Sequence, residues 1–142
     1  MKVSALDNES QWEDIIIHLT DLMNSENRSV ILLSGNLGVG KTTFVKKYVQ
    51  SIGGNQDNVD SPTFSVVNTY DIAGALIHHF DLYRLRSVEE IEDIGFMEYI
   101  DSNHVCFIEW PEKIAEFLPR DKIINIHIVV SLDGCRKYTF TF

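Results

Sequence analysis

Residues 35–42 read Gly35-Asn36-Leu37-Gly38-Val39-Gly40-Lys41-Thr42, directly after the unbroken apolar run Val30-Ile31-Leu32-Leu33. No other stretch restricts the fold as much. The octet matches G-x-x-x-x-G-K-[ST] at every fixed position. Its glycines let the backbone take positive φ and curl N–H groups inward around an anion. A helix opening after the loop adds free N–H groups and the positive end of its dipole. The apolar run reads as a strand buried on both faces, as at the centre of an α/β sheet. Strand, loop and helix in that order form a phosphate cradle. Gly35 to Thr42, with Thr43 next to them, are the candidate nucleotide-binding residues. Lys41 is expected to reach the β- and γ-phosphates of a bound nucleotide and to act in catalysis, and the Thr42 hydroxyl to ligate Mg2+.

The rest of the chain reads around that unit. Ser10 and Glu13 have capping-box spacing, and Trp12, Ile15, Ile16, Leu19 and Leu22 recur at helical intervals, which predicts a helix over about 11–24. Thr42 to Ile52 reads as the helix after the loop, closed by Gly53-Gly54. Phe64–Tyr70 and Ala75–Tyr83 read as two strands joined at Ala73-Gly74. Ser87 and Glu90 repeat the capping-box spacing and open a helical stretch toward residue 100, interrupted at Gly95. Val105–Ile108 is a second fully apolar strand. Pro111 and Pro119 bracket a short helix or loop. Ile124–Val130 and Tyr138–Phe142 alternate around Asp133-Gly134 as a terminal antiparallel hairpin. The expectation is one domain over residues 1–142: a three-layer α/β, P-loop NTPase-like fold with a mixed parallel and antiparallel sheet.

Ligands of α/β sheets gather at the carboxyl ends of parallel strands, so carboxylates that end apolar strands are the metal and water candidates. Glu109 ends the run 105–108 and is a candidate both for Mg2+ and for orienting the attacking water. Asp81 shares a strand face with His79 and Tyr83 and is a metal-shell candidate. His79 reads first as a hydrogen-bonded structural histidine. Ser61-Pro62-Thr63 is a polar loop that can close on the γ-phosphate, with the Thr63 hydroxyl near metal or water. Trp110 is placed to stack on a base or to cover the site. Arg84 and Arg86 are phosphate or partner contacts, or plain exposed charge.

Composition removes several classes. The net charge is −9, which disfavours direct binding to nucleic acid through one basic face; by itself the acidity reads first as a means of solubility, with a basic protein partner as the other reading. No 18-residue apolar run is present, so no membrane span is expected. Met1 to Ala5 lack the apolar core of a signal peptide, and Cys106 and Cys135 make neither a metal spacing nor a disulfide framework. A cytoplasmic protein with reduced thiols is expected.

Four blocks in this order and spacing resemble the TsaE family: Gly35 to Phe44; Ser61-Pro62-Thr63-Phe64; His79-Phe80-Asp81-Leu82-Tyr83-Arg84-Leu85; and Ile108-Glu109-Trp110-Pro111-Glu112. The resemblance implies a small ATPase of tRNA threonylcarbamoyladenosine biosynthesis. It implies partners TsaB and TsaD, with tRNA reached only through them, and ATP hydrolysis that drives or resets their transfer complex. It assigns phosphate to Lys41, metal to Thr42 and Asp81, water or metal to Glu109, and a switch to residues 61–63. Asn36 stands where aspartate is common in the family, and Val39 where alanine is. Two other functions fit a phosphate loop: a nucleotide sensor without turnover, and a small-molecule kinase. The kinase would need an arginine-bearing lid, whereas this chain has five dispersed arginines, Arg28, Arg84, Arg86, Arg120 and Arg136.

Overall fold

In chain order the elements are β1 (Lys2–Leu6), α1 (Ser10–Ser25), β2 (Val30–Ser34), α2 (Lys41–Ser51), β3 (Val67–Ile72), β4 (Ala75–Asp81), α3 (Val88–Asp93), α4 (Phe96–Asp101), β5 (Val105–Glu109), β6 (Ile123–Val130) and β7 (Arg136–Thr141). They come from a computed structural model that describes residues 2–6, 10–62 and 66–142, the backbone alone for 2–6 and 10. Short 3-10 turns at Pro111–Lys113, Ala115–Phe117 and Arg120–Lys122 fill the stretch between β5 and β6.

The strands form one seven-stranded sheet in the order β1-β7-β6-β2-β5-β4-β3. The middle four, β6-β2-β5-β4, run parallel, and the hairpin partners β7 and β3 add antiparallel edges, with β1 outside β7. The parallel centre follows from the apolar runs. Only strands covered on both faces read Val-Ile-Leu-Leu and Val-Cys-Phe-Ile without alternation.

Alternation within β2 divides the core in two. Ile31 and Leu33 face one layer with Phe107, Phe44, Val45, Tyr48, Ile15 and Leu19 from α2 and α1. Val30 and Leu32 face the other with Ile108, Phe80, Ile91, Phe96, Ile100 and Leu118. The fold is therefore three-layered with a mixed sheet, as expected. It has helices α1 and α2 on one face, and α3, α4 and the 3-10 turns on the other.

The helix over about 11–24 is α1, and α2 ends at Gly53, whose φ of 94° lets Gly54 N donate to Val49 O at 2.9 Å. The 73–74 turn is held by Gly74 N donating to Asp71 Oδ1 at 2.9 Å. The helical stretch toward residue 100 is interrupted as expected at Gly95, whose φ of 71° separates two short helices. One detail differs from expectation. The capping box at Ser87 is not made: Ser87 caps nothing with its side chain, and the Glu90 carboxylate accepts from Arg86 N at 3.3 Å instead. The first strand of the central hairpin begins at Val67, and Phe64 lies outside the described residues, as does the Ser10 side chain of the first capping box.

Candidate nucleotide and metal site

The loop 35–40 leaves the carboxyl end of β2 and enters α2 through Gly40, whose φ of 108° is open to glycine alone at low cost. Gly35 is tighter still: a Cβ there would lie 2.5 Å from the Ile128 carbonyl oxygen. Lys41 points back across the loop. Its ammonium donates to Gly35 O at 2.8 Å and Asn36 O at 3.0 Å and sits 3.9 Å from the centre of the Trp110 ring. Lys41 is 5% exposed, and burial lowers its pKa despite the nearby carboxylates of Glu109, Glu112 and Asp81.

β5 lies beside β2 in parallel, with Leu33 opposite Glu109, so Glu109 emerges next to the loop. Its carboxylate accepts from the Thr42 hydroxyl at 3.1 Å and 2.9 Å. Thr42 has one hydrogen to give, so the Ser61 hydroxyl, 2.7 Å away, donates to Thr42 Oγ1. The Glu109 Oε2 that takes the closer of the Thr42 contacts also meets His79 Nε2, at 2.5 Å. A carboxylate only accepts, so Nε2 carries the hydrogen, and His79 Nδ1 lies 3.0 Å from the Tyr70 hydroxyl. Both members of the pair are buried, His79 at 0% and Glu109 at 3% exposure.

Asp81 stands opposite Glu109 across β4 and β5 and accepts from Tyr83 N at 3.0 Å. Its pKa is raised, chiefly by burial and further by the Glu109 charge. Leu37, Gly38, Gly40, Lys41, Thr42, Thr43, Ser61, Asp81, Tyr83, Glu109 and Trp110 line one cleft of about 320 Å³.

The structure thus brings nearly all the candidates together. Thr63 lies outside the described residues. Trp110 covers Lys41 and packs on Tyr83 with ring centres 4.9 Å apart. Arg84 and Arg86 are exposed and do not line the cleft. Thr42, Ser61, Asp81 and Glu109 offer hydroxyl and carboxylate oxygens, the donor set of a hard cation such as Mg2+. Among the described residues no cluster of three or more His, Cys, Asp or Glu forms a complete cage.

Two partners were not read as such from the sequence. His79 holds Glu109, and strand alternation already places it on the face of Asp81. Arg136 donates from Nε to Val39 O at 2.8 Å, inside the loop, from a position 97 residues away. No local pattern announces a contact across that separation.

The chain is similar to known proteins over most of its length. The family model for "Threonylcarbamoyl adenosine biosynthesis protein TsaE" matches residues 6–138. The "tRNA threonylcarbamoyladenosine biosynthesis protein TsaE" of Haemophilus influenzae is 45% identical over 73% of this chain and 66% of its own length. Its Treponema pallidum counterpart is 41% identical over 80% of this chain and 82% of its own length, and that of Bacillus subtilis is 38% identical over 79% and 68%. The crystal structure of Bacillus subtilis YdiB superposes with a TM-score of 0.69 at 26% identity, over 98% of this chain and 83% of that one.

Proposed function

We propose, from the premise that this chain belongs to the TsaE family, which takes part in threonylcarbamoyladenosine modification of tRNA, that it is a Mg2+-dependent ATPase serving a TsaB–TsaD transfer complex. ATP lies with its phosphates in the loop 35–42 and its terminal phosphate toward Glu109. Lys41 leaves its two loop carbonyls to bind the β- and γ-phosphates. Thr42 and Asp81 serve the metal, which supplies charge neutralisation on the phosphates when bound. Glu109 orients water or the metal's water. The work of hydrolysis is spent on the partner complex, and tRNA is met only through it.

The observation that carries this reading is the chain of contacts Thr42–Glu109–His79. A buried carboxylate is held by a histidine and by the loop threonine read as the metal ligand, both on its Oε2. Burying a carboxylate costs folding stability that such partners only offset, so its place beside the phosphate loop supports a functional role. Turnover distinguishes this reading from a sensor. A partner is supported by the acidic surface and by an apolar groove of about 510 Å³ between α3, α4 and the turn at Phe117, where Met97 and Phe117 are exposed beside Glu92 and Glu98. Among the described residues no helix is long and apolar enough to cross a membrane.

The test is steady-state ATP hydrolysis by the chain alone and with TsaB–TsaD, with Lys41→Ala as control. Stimulation that the variant lacks supports the proposal. Binding of ATP with no turnover above background, even with both partners, replaces it with the sensor.

A further inference from the structure

β2 has a different neighbour on each side, and each brings one end of the site. β5 delivers Glu109 to Thr42, so the metal and terminal phosphate belong on the β5 side of the loop. β6 lies on the opposite side, and Gly35 packs against its Ile128 carbonyl. β7, paired with β6, carries Arg136 back over the loop. Arg136 Nε donates to Val39 O at 2.8 Å. A Cβ on Gly40 would lie 3.3 Å from Arg136 Nε and 3.8 Å from the Thr43 side chain. The guanidinium is thus laid against the turn that feeds α2, beside Thr43, on the side away from Glu109. It is exposed, and among the described residues no carboxylate pairs with it. Nε is occupied by Val39, and the remaining N–H donors of the fork are directed from a fixed base toward whatever anion enters there.

We propose that Arg136 contacts the nucleoside-proximal phosphate of a bound nucleoside di- or triphosphate. The proposal rests on the reading of the cleft as an ATP site. A polyphosphate threaded from Glu109 across the loop runs out of β5-side contacts before its last phosphate, and Arg136 is the cation that meets it there. Its anchor on Val39 also makes it report on the loop's own shape, so the test separates contact from bracing.

Arg136→Ala, Arg136→Gln and Arg136→Lys are titrated with ATP, ADP and inorganic pyrophosphate in the presence of Mg2+, by calorimetry on the full chain. Pyrophosphate fills the β- and γ-phosphate positions and has no third phosphate to place at the nucleoside-proximal one. The expected result is a fall of about tenfold or more in the ratio of ATP to pyrophosphate affinity for Ala and Gln, with ADP following ATP and Lys retaining part of the ratio. Equal losses for ATP and pyrophosphate would make Arg136 a loop brace alone and overturn the proposal, as would unchanged ATP affinity. Should Ala fail to fold, Gln and Lys still report the ratio. A folded wild-type chain that binds no ATP at all would instead remove the ATP reading, an outcome distinct from either.

Discussion

The Thr42 hydroxyl lies 2.9 Å from one carboxylate oxygen of Glu109 and 3.1 Å from the other, tying the first turn of α2 to the end of β5. The residue expected to hold the metal and the residue expected to govern water are therefore already in contact before substrate binds. Glu109→Gln keeps the shape and an oxygen that accepts from Thr42 but removes the charge. Nucleotide affinity is expected to stay within about threefold, while turnover falls by about 100-fold or more, the usual scale for a lost general base or water-orienting group. Single-turnover phosphate release with the partner complex present measures both. Wild-type turnover in Glu109→Gln would remove Glu109 from the chemistry.

His79 should matter more to folding than its distance from the phosphates suggests. Its imidazole is fully buried between Glu109 and the Tyr70 hydroxyl. His79→Ala leaves a buried carboxylate with only Thr42, and breaking such a pair costs about 3–5 kcal/mol. Tyr70→Phe removes one hydrogen bond at the outer end of the chain and should cost about 1 kcal/mol. Urea unfolding of the two variants gives the comparison. Equal losses would mean that the histidine is not held as a relay between tyrosine and carboxylate.

Stability should decline in mild alkali, and Cys106 should account for the onset. Burial raises its thiol pKa from 9.0 to about 12. A group whose folded pKa lies above its unfolded one contributes fully below the unfolded value and loses that contribution as pH rises through the folded one. The unfolded thiol ionises first, so the loss begins near pH 9. Tyr138, raised from 10.0 to about 12 by burial, adds to the loss only a unit higher. Urea midpoints between about pH 9 and 10 should therefore fall in the wild type and stay flatter in Cys106→Ala. Parallel slopes in the two proteins would refute the assignment.

Much of this architecture was legible because the informative residues are close in sequence. Val30–Leu33 and Val105–Ile108 state their double burial by lacking polar alternation, and each is followed at once by its functional residues, Gly35 and Glu109. Strand order was not legible, and their adjacency, on which the role of Glu109 depends, comes from the pairing of Leu33 with Glu109 in the sheet. The failures are of another kind. Ser87 and Glu90 have capping-box spacing, but the Glu90 carboxylate takes Arg86 N, since local spacing does not decide among competing donors. The terminal hairpin that carries Arg136 was legible, but Arg136 reaches the loop only because β6 pairs with β2, a fact of strand order that no window of the sequence contains. The Trp110 ring was legible as a residue that stacks on a base or covers the site, but its contact with Lys41 was not, because its φ of 57° turns the chain in a way a bulky residue seldom adopts.

The loop glycines should not be equivalent. At Gly38 a Cβ meets nothing within 4 Å, and only the φ of 79° opposes it. Gly38→Ala should therefore cost about 1 kcal/mol of backbone strain and leave the cradle usable. At Gly35 the φ of 144° is joined by a Cβ 2.5 Å from the Ile128 carbonyl and 2.9 Å from the Val39 side chain. Neither backbone can retreat without parting β2 from β6 or opening the loop. Gly35→Ala is expected to lose nucleotide binding by about 100-fold or more, since the inward N–H groups no longer converge. Calorimetric titration of both variants with ATP, beside their thermal midpoints, separates the two effects. If Gly35→Ala binds ATP as tightly as Gly38→Ala, the close approach of the loop to β6 is not what shapes the cradle.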